Sequence, residues 1–257
     1  INSYQAAMSK PLHLLIDAGN SQIKMAIWNG DTLSKRNSCT QNNFSSTISR
    51  YKTIDIKKIF FVSVISSEAN REISTKLHKT FSIKPIQLKA TRSLMGVRNG
   101  YKKPSQLGDD RWCAVVGGYN IIKKPLMLVD CGSAISIDFV NSNAKHEGGY
   151  ILSGFKGYGN SFLHTHKLKN LKIKKINLRT RTSIAKETSD ALVKGYLLMV
   201  ISSIDRMYKE FATNMGCKPQ LIITGPYSKE IFLHTSLKVK FEPDFVLKCL
   251  GVISMEY

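Results

Sequence analysis

The sequence predicts an α/β protein built as two mixed-sheet halves. Two observations lead there. Apolar strand patterns alternate with helical ones along the 257 residues, and one acid-tipped turn between apolar strands occurs twice. The composition agrees, because 42% hydrophobic and 22% charged residues are a globular balance in a chain long enough to bury a sizeable core.

The first turn lies in residues 14–28, LLIDAGNSQIKMAIW. An apolar run ends at Asp17, the chain turns through Gly19, Asn20 and Ser21, and Ile23, Met25 and Ile27 alternate as in a half-buried strand. Gly19 lets a ligand approach the backbone, Asn20 and Ser21 offer donors, and Asp17 supplies a lone carboxylate, as a metal-bound phosphate requires. Residues 126–140 repeat the pattern with Asp130, Gly132 and Ser133. Asp and Gly are also frequent in ordinary hairpin turns. That plain reading suits one such turn better than two at matching places, and the pair suggests two halves of similar build facing one ligand.

The other elements follow in order. Residues 32–36 read as a third strand, 42–51 as a polar helix and 59–64 as an apolar strand. Residues 68–81 read as a helix with Ile73 and Leu77 on one face, and 86–88 as a short strand. Pro104 and Gly108 break the start of 99–119 into a loop, and a helix begins at Asp109 and Asp110 ahead of Trp112, Val115, Val116 and Tyr119. Carboxylates in a first helical turn are explained by capping and the helix dipole, which fits Asp109. An Asp-Arg pair after a glycine also sets a base beside a carboxylate-binding cation, which suits Asp110 and Arg111. Residues 148–152 form a strand whose paired glycines admit either a flat nucleoside or a plain turn. The longest helical pattern, 189–215, carries Leu192, Tyr196, Met199, Val200 and Ile204 on one stripe, as core or subunit contact. A strand at 221–224 runs into Gly225 and Pro226, a helix follows at 228–234, and 245–253 closes the chain.

The formal charge of +20 favours phosphorylated or carboxylated ligands, and nucleic acid only as a nonspecific contact. Its densest part, 167–181, reads as a solvated face or a polyanion contact and lacks aromatic residues for base stacking. No apolar run reaches the ~18 residues of a membrane span, and the start lacks a basic-then-apolar signal. A cytoplasmic protein without membrane partners is therefore expected. Residues 1–7, ahead of Met8, are set outside the fold. Cys39, Cys113, Cys131, Cys217 and Cys249 are scattered, indicating neither a disulfide framework nor a zinc site. His164 and His166 are spaced like metal ligands but have no evident third ligand. A P-loop nucleotide site is excluded, since no Gly-x-x-x-x-Gly-Lys-Ser/Thr segment occurs.

With 17–24 (DAGNSQIK), 108–111 (GDDR), 130–133 (DCGS) and 149–154 (GYILSG) in this order, residues 12–253 resemble the type III pantothenate kinases. These belong to the superfamily of acetate and sugar kinases, actin and the heat-shock chaperone ATPases. The resemblance implies a duplicated ribonuclease-H-like (actin-like ATPase) fold, with halves at 8–122 and 123–257 around a central cleft. It implies transfer of the ATP γ-phosphoryl group to the primary hydroxyl of pantothenate, giving 4'-phosphopantothenate at the first step of coenzyme A synthesis. Asp17, Ala18, Gly19, Asn20, Ser21, Gln22, Ile23 and Lys24 would hold the ATP phosphates, with Asp17 acting on Mg²⁺ through water and Ser133 adding a contact. Asp130 matches the position for a monovalent cation, K⁺ or NH₄⁺. Tyr101, Gly108, Asp109, Asp110 and Arg111 would bind pantothenate, with Asp110 as the catalytic base, and Thr188 would reach it across a homodimer interface. Ser21 and Ser133 replace threonines and keep the hydroxyl. Ser153 replaces a proline in the nucleoside motif, and Pro226 replaces the second glycine of a Thr-Gly-Gly turn. Those two changes and the charge motivate an alternative, a catalytically weak relative acting as a regulatory or nucleic-acid-associated accessory protein. A kinase for another small alcohol on the same fold is a further reading.

Overall fold

A computed structural model describes residues 10–162 and 184–257. The basic stretch 167–181, His164, His166 and residues 1–7 lie outside them. Among the described residues the chain forms two five-stranded sheets of one design. The first contains β1 (Leu12–Ala18), β2 (Ile23–Trp28), β3 (Leu33–Cys39), β4 (Ile56–Ser63) and β5 (Ile86–Gln87), with α1 (Phe44–Ser49) and α2 (Ser67–Phe81) between its later strands. A small hairpin of β6 (Ser93–Leu94) and β7 (Val97–Arg98) follows, and then α3 (Asp109–Ile122). The second sheet contains β8 (Leu126–Cys131), β9 (Ala134–Val140) and β10 (His146–Ser153). After α4 (Phe155–Asn160) and α5 (Thr188–Met215) it adds β11 (Gln220–Thr224) and, beyond α6 (Ser228–Phe232), β12 (Val239–Phe241). Helix α7 (Phe245–Ser254) is the last element among the described residues.

The strand orders are β3-β2-β1-β4-β5 and β10-β9-β8-β11-β12. In each sheet the first three strands are an antiparallel meander and the last two are parallel additions. The duplication read from two turns thus extends to whole sheets. The chain enters each compact unit more than once: the first unit takes residues up to 90, then 108–113 and 246–257, and the second takes 91–107 and 114–245.

Strand alternation explains the cores. In the first unit Leu14, Ile16, Ala18, Ile23, Met25 and Ile27 share a face with Phe44 and Ile48 of α1 and Ile73 and Leu77 of α2. Helix α2 is capped by Ser66, whose side chain accepts from the Ala69 N–H, and ends at Ser82 in the left-handed conformation. The opposite face of β1 and β2 receives α7. A β carbon at Gly251 would lie 2.5 Å from the Trp28 ring, and buried His13 bonds Ser254 at 2.8 Å. In the second unit Met127, Val129, Ile135, Ile137, Leu221 and Ile223 pack with Tyr196, Val200, Ile204 and Phe211 of α5. The buried stripe of α5 runs through Val193 and Leu197, whereas Met199 is exposed and Leu192 half-buried. The predicted stripe is therefore rotated, because its Leu192 and Met199 lie about 60° and 80° to one side of the Tyr196–Val200 line, and Val193 and Leu197 lie on the other side.

Candidate active site

The turn joining β1 and β2 is closed by the Gly19 N–H donating to the Gln22 carbonyl at 3.1 Å. A β carbon at position 19 would stand 3.2 Å from that oxygen, so the bend is tight. Asn20, Ser21 and Gln22 project into solvent at its tip. Ala18 and Ile23 are buried partners below it, leaving only their backbone for a ligand, and Asp17 and Lys24 are the next partners down, both half-buried. Because alternation sends Ala18 into the helix-covered core, Asp17 lies on the other face, with His13 and Leu15.

The first turn of α3 belongs to the same unit. A β carbon at Gly108 would fall 2.6 Å from Asp110 Oδ1, so the absence of a side chain there gives the Asp110 carboxylate its place. That oxygen also accepts the Arg111 N–H at 2.7 Å. Asp109 is employed differently: Oδ1 accepts the Ala90 N–H at 2.8 Å and Oδ2 pairs with Lys89 at 3.0 Å, tying the chain after β5 to the helix start. Arg111 is 9% exposed, a buried cation next to the proposed base. Cys113, one turn on from Asp109 and fully buried, has its thiol pushed well above the ordinary range. Burial is the main cause, followed by Cys249 and then the charges of Asp17, Asp110 and Asp109. All three carboxylates add to the upward push on this thiol.

The second unit repeats the hairpin. The Gly132 N–H donates to the Ala134 carbonyl at 3.0 Å, Ser133 is exposed at the tip, and Asp130 pairs in register with Ser136 on one side and Thr224 on the other. Gly225 has φ of +93°, and a β carbon there would lie 2.4 Å from Asp130 Oδ1 and 2.7 Å from the Cys131 nitrogen. The space beside this carboxylate is thus kept open by a glycine whose conformation other residues rarely adopt. Gly154 serves similarly, since a β carbon on it would meet the Ser133 carbonyl at 2.3 Å. Ser153 pairs with Ala134, and its carbonyl accepts the Tyr196 hydroxyl at 3.2 Å. The nucleoside motif and the Ser133 turn are therefore in contact.

Tyr101 belongs to the second unit. It lines a cavity of about 460 Å³ with Phe139, Gly148, Gly149, Tyr150 and Phe211 among its walls. Its ring stacks on that of His146, with centroids 5.7 Å apart and planes 16° from parallel. His146 and Asp138, 0% and 2% exposed, form a buried pair in which Nε2–H donates to Oδ1 at 2.8 Å. The sequence reading missed this pair. Asp138 was the available signal, a carboxylate between Ile137 and Phe139 in an apolar strand, where an unpartnered charge is costly. Thr188 is the exposed first residue of α5. Among the described residues no group of three or more His, Cys, Asp or Glu could hold a metal ion.

Residues 13–210 match the family described as type III pantothenate kinase. A type III pantothenate kinase of Nitrosococcus oceani is 30% identical, over 95% of this chain and 94% of that protein. Two solved structures share the fold. One, from Campylobacter jejuni and provisionally described as a Baf family transcriptional activator, has a TM-score of 0.58 at 24% identity, covering 95% of this chain and 98% of that one. The other is the activator of 2-hydroxyisocaproyl-CoA dehydratase from Clostridium difficile with bound ADPNP. It has a TM-score of 0.54 at 10% identity, covering 95% and 94%.

Proposed function

The chain belongs to the type III pantothenate kinase family, and on that premise we propose how its own residues transfer the ATP γ-phosphoryl group to the primary hydroxyl of pantothenate. The observation that carries the proposal is the start of α3, where Gly108 gives the Asp110 carboxylate its place beside the buried Arg111. Phosphoryl transfer has a loose transition state, so the protein's part is to align the reactants and balance charge. Asp110 orients the hydroxyl and accepts its proton, and Arg111 supplies positive charge for the pantothenate carboxylate. Gly108 leaves room for Asp110, and Asp109 anchors the helix start. The turn at 19–22 offers backbone N–H groups and the Asn20 and Ser21 side chains to phosphate oxygens, Lys24 adds a cation, and Ser133 offers a hydroxyl.

Asp17 suits Mg²⁺, which is usually held through one or two carboxylates together with substrate phosphates, and the bound ion would neutralise phosphate charge. Asp130 suits K⁺ or NH₄⁺, since its carboxylate borders a space that a β carbon at Gly225 would fill. The homodimer is part of the proposal. Tyr150, Ile151, Leu198 and Met199 are large and largely apolar yet 45–69% exposed on β10 and α5, and α5 begins with Thr188. The cytoplasmic assignment is supported by five cysteines that are all free thiols.

The test is ADP release by the purified protein with Mg²⁺ and K⁺, comparing pantothenate with glycerol, acetate and hexoses. Turnover with pantothenate alone is expected. Turnover with another alcohol instead would reassign the substrate, and none at all would contradict the kinase reading.

A further inference from the structure

We infer that the buried Asp138–His146 pair is a positioning device for Tyr101, and that it governs affinity for pantothenate rather than the phosphoryl-transfer step. The inference rests on the reading of Tyr101 as a pantothenate-binding residue. Tyr101 is held from two sides. Its backbone is fixed by the segment before it: Asn99, itself 5% exposed, accepts the Tyr101 N–H at 3.0 Å and donates to the Thr91 carbonyl at 3.1 Å. Gly100 lies so close to β10 that a β carbon on it would be 1.8 Å from the His146 carbonyl. The ring of Tyr101 is then fixed by the face of His146, in the stacked geometry given above.

The His146 ring has its own anchor. A carboxylate only accepts hydrogen bonds, so Nε2 carries the proton shared with Asp138, and this fixes both the tautomer and the plane of the imidazole. Nδ1 is buried and has no hydrogen-bond partner among the described residues. A phenylalanine facing an aliphatic residue would fill this interior without a stranded nitrogen or a buried carboxylate, so packing alone does not account for the pair. What the pair adds is a fixed orientation for the platform under Tyr101. Because Tyr101 also lines the 460 Å³ cavity, that orientation sets the cavity wall.

The experiment measures kcat and both KM values for five variants, with circular dichroism and thermal unfolding as checks on folding. His146→Ala removes the platform, and His146→Gln keeps a donor for Asp138 without a ring. Each is expected to raise the KM for pantothenate about fivefold to tenfold, the worth of one aromatic pair, with kcat and the KM for ATP little changed. Asp138→Asn, which keeps an acceptor for Nε2, is expected to stay within about threefold of wild type, whereas the double variant His146→Phe/Asp138→Leu, which keeps a ring but loses the bond that fixes its plane, is expected to raise the KM for pantothenate by more than about threefold. Tyr101→Ala separates the two readings. If it raises the pantothenate KM while neither ring-deleting variant does, the positioning role is overturned and the Tyr101 assignment stands. If Tyr101→Ala leaves that KM unchanged, both fall. Equal losses in kcat and both KM values, tracking lowered thermal stability, would mark the pair as merely structural and overturn the inference. Should His146→Ala fail to fold, His146→Gln and the double variant carry the comparison.

Discussion

Gly108→Ala is a sharp perturbation of the proposed base because its steric consequence falls on one atom group. The added β carbon would sit 2.6 Å from Asp110 Oδ1 and 3.7 Å from the Val64 side chain, so Val64 needs no adjustment. To regain an ordinary contact of 3.4 Å the carboxylate must retreat by roughly 0.8 Å. Gly108 does not have a positive φ, and the clash is with a side chain, so the fold loses little, on the order of 1 kcal/mol. A misplacement near 1 Å in a positioned catalytic group lowers the rate about 10²-fold. Steady-state ADP release and thermal unfolding read the two effects separately. The expectation is a kcat reduced by about two orders of magnitude with a melting temperature lowered by only a few degrees. An alanine variant with wild-type kcat would refute the reasoning, since Asp110 would then tolerate displacement.

Three further outcomes are expected. Gly225→Ala forces a left-handed conformation on a residue with a β carbon and crowds Asp130 and Cys131, so calorimetry should show a loss of at least about 2 kcal/mol, together with a weakened response of activity to added K⁺. Burial, and secondarily Lys58, holds His13 below its ordinary 6.5, so the unfolded chain takes up a proton where the folded one does not. The resulting stability is complete above that value and is lost as pH falls through the window beneath it. Urea midpoints for wild type and His13→Asn at neutral and mildly acidic pH should show the smaller acid loss in the variant. The Tyr196 hydroxyl is pushed up to about 12, mainly by burial and then by Cys131 and Tyr227. In an alkaline absorbance titration Tyr196→Phe should remove one tyrosine ionisation near pH 12, at a cost of about 1 kcal/mol for the lost bond to the Ser153 carbonyl.

The hairpins at Asp17 and Asp130 were legible because a two-residue period ending in Asp-x-Gly dictates both register and turn. Helix α2 was legible from Ile73 and Leu77 on one face. Other elements gave little local signal. Strand β12 is three residues, Val-Lys-Phe, that owe their conformation to parallel pairing with Leu221, Ile222 and Ile223. The hairpin of β6 and β7 turns through Met95 at φ 46° and Gly96 at φ 77°, and methionine gives no warning of a left-handed backbone. Helix α3, by contrast, was legible from its start at Asp109 and Asp110 after Gly108, although it is buried continuously from Arg111 to Gly118 and has no polar face for periodicity to detect. Among the candidate site residues, motif spacing pointed to Asp17, Asp110 and Asp130. It did not show that Asp109 ties down Lys89 and Ala90, or that His146 lies beneath Tyr101, because those contacts join segments far apart in the chain.

The most direct measurement of the central claim is single-turnover transfer of labelled γ-phosphate to pantothenate by wild type and Asp110→Asn, each saturated with ATP and Mg²⁺ and shown to be folded. The account predicts product formation slowed by about 10²-fold or more in the variant, with ATP binding retained. Equal rates for the two proteins would contradict it.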